Sequence, residues 1–343
     1  MVTVVMPVYN GAQYFSETLK SILLQGKIIS EIIVVNDGST DGTEKLVRKW
    51  MEKVPRLRLI NKENGGVSSA RNLGLWEVKT KYVWFFDADD LMPEGAAEKI
   101  VGRLEETGAD YGIGNCAYYH EPGHWISPTE LYVPDQFWQE DRIDIFSWYE
   151  SPGNKVFRTD FLKQNQLTFP NYKIGEDTCF CSKCVVKSKS IVSVSDCVEL
   201  YRIYDGSSSH RYNLTVLDKL KAFAEIRKFL KKERMGSDWF VRQTYNELYH
   251  YRVVFLTLPL YSNARERRII EQKFEEAYRK LDLNSLKRLK KLKERVDCDK
   301  YIRDVELILK IKAIYISQPV SWLFRMARST KRALRKLRKL KKK

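Results

Sequence analysis

The 343-residue chain has no apolar run of the eighteen or so residues that a membrane-crossing helix needs; the longest uncharged stretch near its C-terminus is only Ala313 to Phe324. It opens directly on a strand with no signal-peptide pattern, so a reducing cytoplasm is the expected setting. Cysteine is sparse: Cys116, Cys179, Cys181, Cys184, Cys197 and Cys298 lack the paired spacing of a zinc site and read as ordinary buried thiols. Two phosphate-binding signatures are missing as well. Asn10-Gly11-Ala12-Gln13 stands where a Gly-x-Gly-x-x-Gly turn would follow the first strand, and no Walker-type loop occurs anywhere. The sheet therefore binds its ligand by another arrangement.

What is present is strand and helix in alternation. Residues 3–10 read as a strand, 12–25 as a helix, 31–39 as a second strand, a helix capped by Thr40 or Asp41 ends near Met51, and 57–60 is a third strand. Asn64-Gly65-Gly66 then turns into another helix. This order predicts an α/β fold with a doubly wound parallel sheet. Tyr82-Val83-Trp84-Phe85-Phe86 reads as a strand buried on both faces, followed at its carboxyl end by Asp87, Asp89 and Asp90. Asp87 and Asp89 are two apart, so in extended backbone they point the same way and can share a cation such as Mg²⁺ or Mn²⁺. The alternative is a solvated acidic turn that caps a helix starting near Pro93.

Four blocks carry a resemblance: Val5-Met6-Pro7-Val8-Tyr9-Asn10; Val35-Asn36-Asp37-Gly38-Ser39-Thr40-Asp41-Gly42-Thr43; Asn64-Gly65-Gly66-Val67-Ser68-Ser69-Ala70-Arg71-Asn72; and Phe86-Asp87-Ala88-Asp89-Asp90. In that order and spacing they resemble family 2 of the inverting glycosyltransferases, with the GT-A fold and of bacterial surface-glycan type, over about residues 1–210. The resemblance implies a nucleotide site built from Pro7, Val8, Tyr9, Asp37, Gly65, Gly66, Arg71, Asp87, Ala88 and Arg202. Within it, Asp37 would accept from the uracil ring N–H, Asp87 would hold the ribose, and Arg202 would neutralise phosphate charge. It also implies a Mn²⁺ or Mg²⁺ ion held by Asp89, with His210 completing its shell. Gly175-Glu176-Asp177 resembles the family's base motif, with Asp177 as general base and Glu176 as a supporting or acceptor-binding group; the structural alternative for Asp177 is a helix N-cap.

Residues 93–107 and 159–165 read as helices, 109–119 and 153–158 as strands, 177–187 as a helix and 198–204 as a strand. The segment 121–149 has no clean period and is the expected acceptor-facing stretch; Trp125, Trp138 and Trp148 can stack on sugar rings or fill the core. Long charged helices follow at 214–233, 239–258, 264–281 and 285–311, the last with an expected break near Asp297. The expected domains are a GT-A domain over 1–212, a helical domain over 213–310 and a basic amphipathic tail over 311–343.

Charge marks the tail. Residues 1–286 hold 39 Lys and Arg against 39 Asp and Glu, whereas 287–343 hold 21 against 5, so the whole net charge of +16 sits at the end. Trp322 and Phe324 followed by a polybasic run fit an interfacial helix on an anionic inner leaflet, and sugar-nucleotide motifs favour that surface over nucleic acid. The expected activity is metal-dependent, inverting transfer of a hexosyl or N-acetylhexosaminyl group. It would pass from a nucleotide-sugar donor, UDP-linked, to a hydroxyl of a lipid-linked or polymeric surface glycan. The runner-up is a catalytically inactive, transferase-like domain that binds sugar nucleotide or glycan at the membrane.

Overall fold

The computed structural model describes all residues except 122, 130–131, 140–141, 147–149, 205–212, 262, 290–291 and 316–343. His210, Trp148 and the part of the expected tail that holds Trp322 and Phe324 lie outside the described residues.

The first third of the chain forms the elements its apolar runs predict. Strands β1 (Val2–Val8), β2 (Ile29–Asp37), β3 (Leu57–Lys62) and β4 (Tyr82–Phe85) alternate with helices α1 (Phe15–Leu23), α2 (Thr43–Met51), α3 (Val67–Glu77) and α4 (Ala96–Thr107). Every residue of β1 and β4 is buried, as strands covered on both faces must be. The order β3-β2-β1-β4 is parallel throughout. The carboxyl ends of these strands, with Tyr9, Asp37 and Asp87 on or just past them, therefore open on one edge, where open α/β sheets bind their ligands. On one face Phe85 packs edge-on against Phe169 and Phe180, at 5.0 and 5.7 Å. On the other, Trp84 and Phe86 join Leu19 and Ile22 of α1 and Ile100 and Leu104 of α4 in a buried cluster.

The chain continues through β5 (Tyr111–His120), β6 (Trp125–Pro128), β7 (Gln136–Trp138), β8 (Lys155–Arg158), α5 (Thr159–Gln164), α6 (Glu176–Lys187) and β9 (Ile191–Ile203). The sheet extends as β4-β8-β5-β9-β7, with β6 on β5. Because β8 runs antiparallel to both β4 and β5, the sheet is mixed and not parallel throughout. A run as short as Lys-Val-Phe-Arg carries no signal of direction. Direction follows from where the chain enters, and the 2.6 Å bond from Trp84 Nε1 to the Gly153 carbonyl holds that entry beside β4.

Strand β9 starts at Ile191 and not at Val198, because Ser193, Ser195 and Asp196 interrupt the apolar run. At that point its ladder with β5 shifts register, and Asn115 Nδ2 donates to the Val133 and Ser195 carbonyls at 2.9 and 2.8 Å. Trp138 is core: it is buried in β7 with Nε1 donating to Ser193 Oγ at 3.4 Å. Trp125 stays exposed.

The remaining helices are α7 (Asp218–Lys232), α8 (Ser237–Thr257), α9 (Ala264–Tyr278) and α10 (Leu292–Tyr315). The chain divides into two compact units, the first ending at Gln243 and the second starting at Thr244. In the first unit α7 lies on α6 through Lys183–Glu225 and Lys187–Glu233 ion pairs. In the second, Tyr251 meets Phe274 edge-on at 5.4 Å and Arg252 pairs with Asp304 at 2.6 Å. The expected break near Asp297 is absent. A 3-10 turn over Leu283–Arg288 precedes α10, which runs through Asp297 because Cys298 and Val305 lie seven apart on one buried stripe. Among the described residues, no helix is long and apolar enough to cross a membrane.

One close approach in the core gives a test. A Cβ on Gly74 of α3 would lie 2.3 Å from Val5 Cγ1 and 3.3 Å from Val35 Cγ2. Gly→Ala inside a helix ordinarily stabilises by up to about 1 kcal/mol. Here overpacking against two sheet valines, at about 1–3 kcal/mol, outweighs that gain. Gly74→Ala is therefore expected to lower the urea midpoint, and a raised midpoint would show that α3 does not press on the sheet as described.

Candidate active site

Arg71 organises the site. It sits in the middle of α3, its side chain only 2% exposed, and its guanidinium reaches two distant segments at once. Nη2 donates to Asp87 Oδ1 at 2.8 Å and Nη1 to Asp177 Oδ1 at 2.6 Å, with Glu176 Oε1 at 4.0 Å from Nη1. Phe169 covers the guanidinium at 5.2 Å. Asp177 reaches this position because α6 starts at Gly175, whose φ of 93° is an N-cap conformation suited to glycine. Asp177 is thus the second residue of α6 and not its N-cap. Burial pushes the Asp177 carboxyl up to about 6 against the pull of Arg71. Burial and then the Asp177 charge push Glu176 up to about 8.

Behind the acidic loop lies a second arginine. Arg202 of β9 is buried, pairs with Glu17 of α1 at 2.8 Å and with Glu121, and donates Nε to the Asp89 carbonyl at 2.6 Å. Tyr14 and Tyr119 flank its guanidinium at 4.5 and 5.0 Å. The Arg202 backbone N–H donates to Asp90 Oδ1 at 2.8 Å, and Tyr204 Oη donates to Asp89 Oδ2 at 3.0 Å. All three guanidinium nitrogens of Arg202 thus face protein oxygens. Asp89, held from behind, is pushed up first by burial and then by the charge of Asp87.

The expected nucleotide wall is built around Asp37. Its carboxylate accepts from the Gly65 and Gly66 amides at 2.9 and 2.8 Å and from Lys62 Nζ at 2.6 Å, so it also folds the glycine turn. Gly66 has φ 90°, a conformation that keeps the turn glycine-bound. Pro7 and Val8 are buried in β1, leaving Tyr9, 54% exposed, as the open residue of that strand end. The β1 and β2 loops are tied together: Asn10 Oδ1 accepts from the Thr40 amide at 2.8 Å, and Asp41 accepts from the Thr43 amide at 2.9 Å and the Ala12 amide at 3.2 Å. Ala88 is buried and its carbonyl accepts from Thr18 Oγ1 at 3.0 Å.

Residues 3–166 match the family model described as glycosyl transferase family 2. Over residues 3–166, just under half of its length, the chain matches as a family 2 glycosyltransferase domain. It is 32% identical over 224 residues to glycosyltransferase GlyA of Streptococcus pneumoniae serotype 4, covering 61% of this chain but only 31% of that relative. It is 27% identical over 278 residues to the poly(ribitol-phosphate) β-N-acetylglucosaminyltransferase TarP of Staphylococcus aureus, 80% of this chain and 77% of that one. Its fold resembles the crystal structure of S. aureus TarS 1-349 in complex with UDP-GlcNAc, with a TM-score of 0.68 at 21% identity over 83% of this chain and 82% of that one.

The structure brings together Arg71, Asp87, Glu176 and Asp177, and places Asp89 and Arg202 on the far side of the same loop. Sequence reasoning did not find Glu17, Tyr204, Lys155 or Glu199. Lys155 is buried under the site, with Nζ donating to the Ser151 carbonyl at 2.6 Å and Asn154 Oδ1 at 2.8 Å. Glu199 is buried beside it, and a Cβ on Gly153 would lie 1.9 Å from its Oε1. Only the uncommon presence of a lysine and a glutamate inside apolar strands signals them. Among the described residues no group of three or more His, Cys, Asp and Glu side chains converges to hold a metal. A Mg²⁺- or Mn²⁺-type site of one or two carboxylates completed by substrate phosphates needs no such group. Asp89 fits that kind of site, since a cation would relieve the charge repulsion from Asp87 that raises its pKa.

Removing the Arg71 cation leaves Asp87, Glu176 and Asp177 facing one another. Arg71→Gln is expected to cost about 3 kcal/mol at pH 8, the low end for breaking a buried pair because Asp87 is 38% exposed. The cost should shrink at pH 5: carboxyl groups already raised in the folded state take up protons there, which removes the repulsion. Urea unfolding at the two pH values measures this, and a pH-independent loss would mean that Arg71 acts by packing alone.

Proposed function

We propose that the domain is an inverting sugar transferase acting on a nucleotide-sugar donor, UDP-linked, with a hydroxyl of a lipid-linked or polymeric surface glycan as acceptor. The observation that carries this reading is Arg71 holding Asp87, at the donor-side strand end, and Asp177, at the start of α6, on one guanidinium. This arrangement supports Asp177 as a base close to where the sugar–phosphate bond of a donor lying along β1, β2 and β4 would be. That TarS was crystallised with UDP-GlcNAc and that TarP is named an N-acetylglucosaminyltransferase support UDP and an N-acetylhexosaminyl group, a hexosyl group being the alternative.

In this mechanism Asp37, Tyr9 and the Gly65-Gly66 turn hold the base and Asp87 the ribose. Asp177 accepts the acceptor hydroxyl proton as that oxygen forms its bond to the anomeric carbon and the sugar–phosphate bond breaks, inverting the centre in one displacement. A carboxyl raised to about 6 is ionised at neutral pH yet more basic than an ordinary aspartate. Arg71 keeps it oriented, and Glu176 stands at the acceptor side. A divalent Mn²⁺ or Mg²⁺ held by Asp89, with His210 as a further ligand, would neutralise the departing diphosphate. Arg202 secures the Asp89 backbone and adds positive charge behind the loop.

Donor hydrolysis by the purified protein with Mn²⁺ and a panel of UDP-, GDP- and dTDP-sugars tests the donor. Asp177→Asn is expected to lose about 10² to 10⁴ in kcat while UDP binding by calorimetry persists. The wild-type kcat/KM should rise with pH through about 6, because the base works only once its proton is off. A flat profile, or full turnover by Asp177→Asn, sinks the base assignment. Asp89→Ala and EDTA should each silence turnover, the latter reversibly on adding Mn²⁺.

We place the enzyme on the cytoplasmic face of the cell membrane, with residues 311–343 as the basic tail that meets it. Each basic residue near an anionic surface contributes about 1 kcal/mol. Eleven of them follow Phe324. Truncation after Tyr315 is expected to abolish co-sedimentation with phosphatidylglycerol vesicles at low salt. Equal sedimentation of both proteins, or binding to duplex DNA instead, would remove the membrane assignment.

A further inference from the structure

The sheet face that carries the base continues outward as a strip of aromatic rings. In the β5–β9 ladder Cys116 lies beside Glu199, Tyr118 beside Tyr201 and His120 beside Ile203, and in the β5–β6 ladder His120 lies opposite Trp125. Residues two apart share a face, so Glu199, Tyr201, Tyr118, His120 and Trp125 all project from the same side. The contacts agree: Tyr118 meets Tyr201 and His120 edge-on, each at 6.3 Å, and the His120 ring stacks on Trp125 at 3.6 Å and 4°. Glu199 is the inner end of this strip. Its charge environment is set by Asp87, Lys155 and Asp177, which places it under the site, and its Oε2 is buried without a hydrogen-bond partner. At the outer end Trp125 is 54% exposed with His120 against one face of the indole, and Tyr118 is 38% exposed.

The chemistry of the strip identifies its occupant. Flat rings with open faces match the apolar faces of pyranose rings, and polar ring edges, such as His120 Nε2 bonded to Ser127 Oγ at 2.9 Å, meet hydroxyl groups. No Lys or Arg belongs to the strip, so it does not suit a backbone recognised through its phosphates. We propose that Trp125, His120, Tyr118 and Tyr201 form a binding platform for the acceptor as a chain of several sugar rings, which stacks along β6, β5 and β9 and delivers its terminal hydroxyl to the face of Asp177. This deepens, and rests on, the transferase reading. It also makes the acceptor a pre-assembled glycan and the enzyme an extender, which requires an earlier glycosyl transfer to supply its substrate.

The test uses the full chain on an array of bacterial surface polysaccharides and linear oligosaccharides, including chitotetraose and maltotetraose, with poly(ribitol phosphate) as a ring-free comparison. Wild type is expected to retain at least one ring polymer. Trp125→Ala and Tyr118→Ala should each weaken that retention by about ten-fold, and Trp125→Phe, which keeps a ring, should restore most of it. UDP affinity by calorimetry and the melting temperature of each variant report folding and should not move. Retention of no ring polymer by wild type, preference for poly(ribitol phosphate), or retention unchanged in both alanine variants overturns the platform. Donor hydrolysis by wild type is measured separately: hydrolysis without glycan retention sinks only the platform, whereas absence of hydrolysis with every donor sinks the transferase reading beneath it.

Discussion

A buried cation facing more carboxylates than it can neutralise is the constraint on which the site depends. Arg71 is removed from water and bound to both Asp87 and Asp177, which lie 16 and 106 positions further along the chain. Breaking such a pair costs several kcal/mol, so α3, the end of β4 and the start of α6 cannot adopt their positions independently. The planar, forked guanidinium is suited to the task because two of its nitrogens can serve two carboxylates at once, which an ammonium would do with looser geometry. The same arrangement keeps Asp177 ionisable near neutrality. Burial alone would raise its carboxyl further, and Arg71 and Lys155 hold it down.

The acidic loop is held from both sides of the sheet. Asp87 turns toward Arg71, while the Asp89 carbonyl and Asp90 carboxylate turn toward Arg202. Asp89 itself is left between, with Tyr204 on one oxygen. The loop therefore presents a carboxylate whose backbone is fixed before any ligand arrives, at the cost of a local excess of negative charge. A nucleoside diphosphate would add to that excess, which is the electrostatic reason that a divalent cation belongs in the proposed mechanism.

Much of this was legible in the sequence, for identifiable reasons. The parallel strands β1, β2 and β4 carry apolar runs, and each ends in a polar block at one edge of the sheet, so both the fold and the residues gathered at that edge could be read from short windows. Asp177 was legible only through resemblance, since its local pattern equally describes an N-cap. The contribution of Glu17 was not legible: an exposed-looking acid in the first turn of α1 has no local sign that it pairs with Arg202. The direction of β8 and the early start of β9 were hidden because strand polarity and a register shift at Asn115 arise from the ladder and not from composition. Trp125 and Trp138 look alike in sequence, and only their strands decide that one faces solvent and the other Ser193.

Strand β9 shows how the two halves of the site are kept in step. Its even-numbered residues Arg202 and, just beyond the strand, Tyr204 serve Asp89 on one side of the sheet, while Glu199 and Tyr201 line the side of Asp177. Because side chains alternate, a slip of one residue would exchange the two sets and turn Arg202 to the side of Asp177. The register is pinned next to the acidic loop itself: the Leu91 amide donates to the Leu200 carbonyl at 3.1 Å, and the Leu200 amide donates back at 2.8 Å. The backbone that follows Asp89 and Asp90 thus sets the phase of the strand that supports them. The groups on the two faces of β9 thus depend on this reciprocal pair together with the β5 ladder, and a change that loosens Leu91 from Leu200 disturbs both faces together.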